Sequence, residues 1–274
     1  MLLLQVEVEE TTTSEEKPYY TFIVCIITAP DHTEHRRVLR DSSWVGHDWR
    51  DNGGNPVTGW KHLFVVGRAA STLTMQKLQA EIAEYGDIVI ADEEDSYHNL
   101  VLKVMWLMQH MLDNYNFGFV IKTDDDTFIN INLVNRYLLG LQATAGADKM
   151  FFGGVRTGRQ PVLRKGRYGV SKDLWEPDIY APYCSGSGYV LSADTVQGLV
   201  NVYKSGVQPL FYVEDAFIGA LAFHVGTIDV KNINGFYWHQ KYGCTDKDAL
   251  LMHYVKLDMM ADYMKKYKAG KAYC

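Results

Sequence analysis

Three consecutive aspartates, Asp124, Asp125 and Asp126, are the residues of this 274-residue sequence whose types and spacing first indicate chemistry. They follow an apolar run that begins at Phe117, and a second apolar pair comes directly after them. Because successive side chains of an extended chain point to opposite faces, Asp124 and Asp126 share one side and Asp125 points away. Two carboxylates on one side suit Mg²⁺ or Mn²⁺ that keeps positions open for a phosphate. The triplet alone leaves open a solvated turn at the end of a strand.

Three further segments carry side chains that could do chemistry. Glu214 and Asp215 stand at the start of an apolar helical segment, where acids commonly favour the helix dipole, so capping and general-base catalysis are both open. His253 has apolar neighbours, and this leaves a satisfied core histidine as the alternative to a metal ligand. Arg36 and Arg40 are four residues apart on one helix face, which fits either a nucleotide phosphate or solvent.

The elements that would position these residues alternate along the chain. Apolar runs rich in β-branched residues predict strands over Tyr20–Thr28, His62–Gly67, Asp87–Ala91, Phe117–Asp124 and Met150–Val155. Helical spacing predicts helices over Thr33–Trp44, Leu73–Tyr85, Tyr97–Leu112 and Ile131–Leu141, and a helix capped by Asp194 that runs to Tyr203. Arg156–Lys172 is expected to be a flexible loop or hairpin. The glycines in the stretch from Cys184 would let the backbone approach a ligand closely, although plain tight turns need them too. This alternation predicts an α/β fold with a mostly parallel sheet covered by helices on both sides, and ligands at the strand carboxyl ends.

Composition narrows the class of protein. Hydrophobic residues make up 47% of the chain and charged residues 22%, as in ordinary globular proteins. A net charge of −6 argues against a nucleic-acid partner, because binding phosphates needs a basic surface. No apolar stretch reaches the length of about 20 residues that crosses a membrane. Residues 1–18 are polar and acidic and are expected to be a linker.

The four cysteines lack the CxxC spacing of a structural zinc site. Cys25 lies in an apolar run and is expected to be a buried free thiol. A bridge between Cys244 and Cys274 would tie down the C-terminus, and it would require an oxidising compartment.

In their order and spacing the segments together resemble the β1,3-glycosyltransferases typified by β1,3-galactosyltransferases, glycosyltransferase family 31. The matching stretches cover about residues 20–274 and are RRVLRDSSW, FVVG, EYGDIVIADEEDSYHNLVLKV, FVIKTDDDTFIN, YAPYCSGSGYVLSAD, VEDAFIGA and the region of His253. The resemblance implies a GT-A type, Rossmann-like catalytic domain over residues 19–274. Its nucleotide-sugar half would span about residues 19–130 and its acceptor half residues 131–274, with residues 1–18 as the remnant of a stem.

The resemblance also implies an activity. A member of this family moves a hexose, here expected to be galactose, with inversion from a UDP-sugar to the 3-hydroxyl of an acceptor sugar. The acceptor would be a glycan ending in galactose, N-acetylglucosamine or N-acetylgalactosamine on a glycoprotein, glycolipid or proteoglycan. Mn²⁺ or Mg²⁺ would be the cofactor. The location would be the Golgi lumen or membrane, through an N-terminal anchor that these 274 residues do not contain.

Roles for individual residues follow from the same resemblance. Asp126 matches a direct metal ligand, Asp124 lies at the metal or the ribose, and His253 matches a further ligand. Asp215 matches the general base, with Glu214 as its competitor. The positions that match nucleotide contacts are Arg36, Arg40, Asp95, Tyr97, Asn99 and Lys103, together with Asp124 and Asp125 of the triplet.

The sequence departs from the family pattern at two places. Trp44 is one residue further from Arg40 than is usual, and Leu221 stands where members often have a cysteine, so Cys184 is expected to be unpaired. Three alternatives remain beside galactose transfer: β1,3-transfer from UDP-N-acetylglucosamine or UDP-N-acetylgalactosamine, a non-catalytic sugar-binding relative, and a metal-dependent phosphohydrolase. The presence of both metal acids, the candidate base and the histidine favours an enzyme over a binding protein.

Overall fold

A computed structural model describes residues 17–144, 147–156 and 160–274. The predicted linker, residues 1–18, lies outside these ranges except for its last two residues, as do residues 157–159 of the predicted loop that follows Arg156. The strands are β1 (Tyr19–Ile27), β2 (Trp60–Arg68), β3 (Ile88–Glu94), β4 (Asn116–Asp124), β5 (Phe128–Ile129), β6 (Met150–Val155), β7 (Cys184–Ser192), β8 (Asp229–Asn232), β9 (Phe236–Tyr237) and β10 (Leu251–Met252). The helices are α1 (Thr33–Ser42), α2 (Thr72–Tyr85), α3 (Leu100–Asn114), α4 (Ile131–Gln142), α5 (Ala193–Ser205), α6 (Glu214–Val225), α7 (Gln240–Gly243) and α8 (Leu257–Lys268).

Within the described residues seven strands form the central sheet, in the order β3-β2-β1-β4-β7-β6-β8. The strands β1 to β4 are mutually parallel where they pair, and β7 runs antiparallel to both β4 and β6. The predicted α/β class is confirmed: the sheet is mostly parallel, and the fold is of the GT-A, Rossmann-like type.

Each face of the sheet carries its own apolar core. On β1, Phe22, Val24 and Ile26 pack into a core shared with α4 and α8, whereas the intervening residues pack against α3, α5 and α6. A central parallel strand needs apolar residues on both faces for this arrangement, and the uninterrupted apolar sequence of β1 supplies them. Because β1 to β4 are parallel, their carboxyl ends, which carry the polar residues, lie at the same edge of the sheet.

The glycine-containing stretch from Cys184, which was expected to be either a ligand contact or a tight turn, is the nine-residue strand β7. Its small residues fit a crowded position, because a Cβ added to Gly188 would collide with the side chain of Leu251. The prediction that Asp194 caps the next helix is wrong. Helix α5 has Ser192 at its N-cap, and the Asp194 carboxylate accepts hydrogen bonds from the Ser192 hydroxyl and from the backbone N–H of Lys149.

Two boundaries near the predicted nucleotide contacts differ from the sequence expectation. Strand β3 continues to Glu94, through most of the segment that was expected to be a turn. Helix α3 begins at Leu100, three residues later than expected, so Tyr97 and Asn99 lie in the connection before the helix. The side chains of residues 95–99 therefore do not follow the 3.6-residue period of a helix.

The C-terminal part is organised by a second, small sheet with the order β5-β10-β9. The predicted disulfide between Cys244 and Cys274 is present, and Cys25 and Cys184 are buried free thiols, as expected. Among the described residues, each helix is too short or too polar to cross a membrane.

Candidate active site

The aspartate triplet spans the last residue of β4 and the turn that leads to β5. Strand β10 pairs antiparallel with β5, Met252 opposite Phe128, and this pairing brings His253 to the turn. The Nε2 atom of His253 lies 3.0 Å from Oδ1 of Asp126 and 3.5 Å from Oδ2 of Asp124. The three residues each offer one ligand atom within 4.8 Å of the others. Two carboxylate oxygens and one imidazole nitrogen form a group that could hold a divalent cation.

The charges in this group fit a cation. Burial alone would raise the pKa of Asp124, but Lys122 and His253 outweigh it and hold that pKa at about 2. Burial lowers the pKa of His253, and the two carboxylates more than reverse this, to about 9. Its Nδ1 lies 3.1 Å from the carbonyl oxygen of Trp238, a contact that aims Nε2 at the acids in the manner of metal-bound histidines. Binding of a cation would displace the His253 proton, since ligands must be deprotonated.

A buried lysine, Lys122, connects the acids to the neighbouring strand. Its Nζ donates to Oδ1 of Asp124 at 2.9 Å and to the carbonyl oxygen of Gly186 at 2.5 Å, and lies 3.7 Å from Oε2 of Glu214. Burial lowers the pKa of Lys122, but Asp124 and Glu214 raise it above its ordinary value. Lys122 is absent from the site residues predicted from the sequence. A lysine in an apolar strand, two residues before Asp124 and hence on the same face, was the available signal.

The two acids at the start of α6 have different surroundings. Glu214 is buried, accepts a hydrogen bond of 2.6 Å from the Tyr189 hydroxyl, and has a pKa raised to about 7, chiefly by burial. Asp215 is more exposed, and its carboxylate accepts the backbone N–H groups of Gly186 at 3.1 Å and of Ala216 at 2.9 Å. Burial raises the pKa of Asp215, and these two N–H groups oppose the rise. Only the Asp215 carboxylate of this pair borders an open cavity.

That cavity has a volume of about 470 Å³, and tyrosines are the most frequent residue type among its described lining. Its described lining is Tyr97, Arg156, Gln160, Pro161, Leu163, Tyr168, Tyr180, Tyr183, Val213 and Asp215. Burial, with Asp215 nearby, raises the pKa of Tyr180 and of Tyr183 to about 12, so both hydroxyls remain hydrogen-bond donors at neutral pH. Aromatic faces and hydroxyl groups around one carboxylate suit a polyhydroxylated ring.

The structure puts Arg36 and Arg40 in ion pairs within the fold. Arg36 is fully buried; its guanidinium donates to Glu81 and to the carbonyl oxygens of residues 29–30. Arg40 pairs with Glu81 at 2.7 Å and with Asp87 at 2.7 Å. The two arginines do share a helix face, but that face is turned inward. Arg36 holds the loop after β1 and Arg40 ties α1 to Glu81 and Asp87, so both guanidinium groups are already paired.

The other predicted nucleotide contacts separate into two groups. Asp95 accepts from Lys103 Nζ at 2.6 Å and from the Gly67 N–H at 2.8 Å, and it lines a cavity of about 250 Å³ at the ends of β1 and β2. Asn99 donates to the Glu94 carbonyl at 2.9 Å. These residues surround the end of β3, whereas Tyr97 belongs to the cavity of Asp215.

Asp125 points away from its two neighbours, as the alternation predicts. Its Oδ2 accepts a hydrogen bond from the Thr28 hydroxyl and lies 2.7 Å from Nδ1 of His32. Trp44 is buried against the same turn, where its Nε1 donates to the Thr127 carbonyl at 2.8 Å. The extra residue between Arg40 and Trp44 therefore does not prevent this tryptophan from reaching the acidic turn.

Comparison with known proteins agrees with this architecture. A family model described as galactosyltransferase matches residues 34–234. Beta-1,3-galactosyltransferase 1 of Homo sapiens is 27% identical over 249 residues, 89% of this chain and 73% of the relative. Beta-1,3-galactosyltransferase 5 of Mus musculus is 31% identical over 210 residues, covering 75% and 63%. Hydroxyproline O-galactosyltransferase GALT6 of Arabidopsis thaliana is 29% identical over 252 residues, covering 91% and 35%. The chain belongs to the galactosyltransferase family, as its motifs predict, and the chemistry of that family is glycosyl transfer.

Proposed function

We propose that this chain transfers galactose from UDP-galactose to the 3-hydroxyl of an acceptor sugar, with inversion and with Mn²⁺ or Mg²⁺ as cofactor. The observation that carries the proposal is the division of acids between two places. One pair of carboxylates with a histidine forms a cation-binding group, and a separate carboxylate, Asp215, borders an aromatic cavity. An inverting transfer needs this division, because one group must accept a proton while another site holds the departing diphosphate.

In this proposal Asp124, Asp126 and His253 hold the cation. When bound, the cation would neutralise negative charge on the departing UDP. Residues 19–130 would form the nucleotide-sugar half, and the cavity beside Asp95 is the proposed nucleotide pocket because it lies at the carboxyl ends of parallel strands. Residues 131–274 would hold the acceptor, with His253 as their contribution to the donor site.

Asp215 is the proposed general base. It would accept the proton of the acceptor 3-hydroxyl as that oxygen attacks the anomeric carbon, and no covalent intermediate with the protein is needed. A pKa raised by burial makes Asp215 a stronger base than a solvated carboxylate, while the N–H groups of Gly186 and Ala216 keep it ionised and oriented. Glu214 is enclosed beneath it and is assigned a positioning role.

Lys122 would link the cation-binding group to the proposed general base. The same ammonium group holds the Asp124 carboxylate and the carbonyl of Gly186, whose N–H in turn binds Asp215. The tyrosines of the cavity would stack on the acceptor ring and donate to its hydroxyl groups. This assignment makes the cavity the determinant of acceptor choice.

The test measures UDP release from UDP-galactose by the purified chain, with Mn²⁺ or with EDTA. The acceptor panel contains glycans ending in galactose, N-acetylglucosamine and N-acetylgalactosamine, and a hydroxyproline peptide because of the plant relative. Asp215→Asn is expected to lower the rate by roughly 10²- to 10⁴-fold, the usual contribution of a general base. The matched control is Asp258→Asn, an exposed acid that also lies in the first turn of a helix.

Each outcome of this assay selects one reading. Acceptor-dependent release that needs metal and collapses in Asp215→Asn supports the transferase and its base. Release without an acceptor would point to a hydrolase. UDP binding without release from UDP-galactose, UDP-N-acetylglucosamine or UDP-N-acetylgalactosamine would point to a sugar-binding protein. Preference for UDP-N-acetylglucosamine or UDP-N-acetylgalactosamine would keep the proposed inverting mechanism and replace galactose as the transferred sugar. A Golgi location is part of the proposal and rests on family resemblance.

A further inference from the structure

A second group of potential metal ligands lies on the opposite side of the acidic turn. His32 is the N-cap residue of α1, and His35 follows one helical turn later, with the two imidazole rings stacked at 4.3 Å between centroids. The Asp125 carboxylate faces them from the turn, 2.7 Å from Nδ1 of His32. One ligand atom from each of the three residues lies within 4.8 Å of the other two.

We propose that His32, His35 and Asp125 form a second cation site that takes a nitrogen-preferring divalent ion of the Zn²⁺ class. Two imidazoles and one carboxylate are the ligand set of zinc sites that keep one position open. Ligands about 2.0–2.1 Å from one ion stand roughly 3 to 4 Å apart. The three ligand atoms lie within 4.8 Å of one another, so they would have to move closer on binding. The first cluster has the reverse composition, two carboxylates and one imidazole, and so favours Mn²⁺ or Mg²⁺.

The carboxylate of this group is fixed before any ion arrives. Asp125 is 8% exposed, and its Oδ2 also accepts the hydroxyl hydrogen of Thr28, a contact of the kind that orients metal-binding carboxylates. The neighbouring cation, Arg36, is already paired with Glu81 at 2.8 Å. The charge of Arg36 is therefore balanced by Glu81, and the described partners of the Asp125 carboxylate are Thr28 and His32.

An entry path for the ion is also present. The His32 side chain is 42% exposed, and His35 lines a cavity of about 430 Å³ together with Asp126 of the first cluster. Ions from solvent can thus reach the histidines without unfolding of the turn. The new site adjoins the proposed donor site and shares its backbone, but its existence does not depend on the transfer reaction.

The test counts zinc ions by calorimetric titration of the metal-free full chain, without any sugar. Zinc also fits the first cluster, so four proteins separate the sites: the wild type, His35→Gln, His253→Gln and the double variant. The expected stoichiometries are two, one, one and none. His98→Gln, an exposed histidine elsewhere, is the matched control and should still bind two ions.

A second variant and a second measurement guard against misfolding. Thr28→Val removes only the hydroxyl that orients Asp125, and it should weaken zinc binding at this site by roughly 10- to 100-fold in the His253→Gln background. Both His35→Gln and the control His98→Gln are then combined with His253→Gln. Thermal unfolding in EDTA should give these two proteins the same midpoint, and added zinc should raise the midpoint of the control alone. Equal zinc stoichiometry in His35→Gln and His98→Gln would overturn the proposal, as would loss of both ions in His253→Gln.

Discussion

Removal of the Lys122 ammonium group should expose how much the buried charges depend on one another. In Lys122→Met the carboxylates of Asp124 and Glu214 lose their shared cation, and the side chain of Glu214 is only 3% exposed. Breaking a buried pair from one side costs about 3–5 kcal/mol, because the remaining charge is left in a medium that solvates it poorly. We expect a loss of this size in the free energy of unfolding at pH 8.

A double-mutant cycle then assigns the loss to a partner. In Lys122→Met/Glu214→Gln the enclosed carboxylate is gone, so the lysine deletion should cost about 2 kcal/mol less than it does alone. Part of the loss should remain, because Asp124 still lacks its 2.9 Å contact. At pH 5 the single variant should also recover part of its stability, since Glu214 then takes up a proton.

Urea unfolding followed by tryptophan fluorescence is the assay, and the chain has 6 Trp residues as probes. The wild type and Glu214→Gln complete the cycle at each pH. A coupling energy below about 0.5 kcal/mol would refute the reasoning, because independent sites are additive within that limit. So would a Lys122→Met loss of equal size at pH 5 and pH 8.

Three other predictions concern pH, metal and the disulfide. The pKa of Glu214 is raised from 4.5 to about 7, so between these pH values the native state holds a proton that the unfolded state lacks. As pH rises through this window, the free energy of unfolding of the wild type should fall by about 3 kcal/mol relative to Glu214→Gln. Parallel pH profiles for the two proteins in urea unfolding would contradict this. His253→Gln should raise the Mn²⁺ concentration for half-maximal UDP release by at least about tenfold, and an unchanged Mn²⁺ dependence would remove His253 from the ligand set. Cys244→Ser/Cys274→Ser opens a loop of 30 residues and should lower the unfolding free energy by about 3–4 kcal/mol, measured by thermal unfolding with the reduced wild type as control. Equal midpoints for oxidised and reduced wild type would count against that value.

The alternating half of the fold was predictable because its signals are local. Apolar runs of strand length and helical spacing follow one another from β1 to α4, and short connections leave few ways to arrange them. The orientation of the triplet was predictable as well, because the alternation of an extended chain persists from Asp124 at the end of β4 to Asp125 and Asp126 in the turn.

Strand β7 escaped prediction because its sequence signal is weak. Glycine and serine favour loops, and this segment is a strand because β4 and β6 offer hydrogen-bonding edges on both sides. The inward direction of Arg36 and Arg40 was also out of reach, because their partners Glu81 and Asp87 are more than 40 residues away. Long-range pairing of this kind depends on the tertiary arrangement and leaves no local periodicity.

The antiparallel course of β7 has a consequence for how this scaffold can diversify. The contacts of Lys122 with Gly186, and of Gly186 with Asp215, depend on the β4–β7 ladder and on the start of α6. The connection between β6 and β7, residues 156–183, supplies much of the cavity wall, including Arg156 and Tyr180. Insertions or substitutions in this connection can reshape the wall while the ladder keeps the catalytic groups in register. Under the proposed role of the cavity, acceptor preference can change during evolution under a weaker constraint than the transfer reaction.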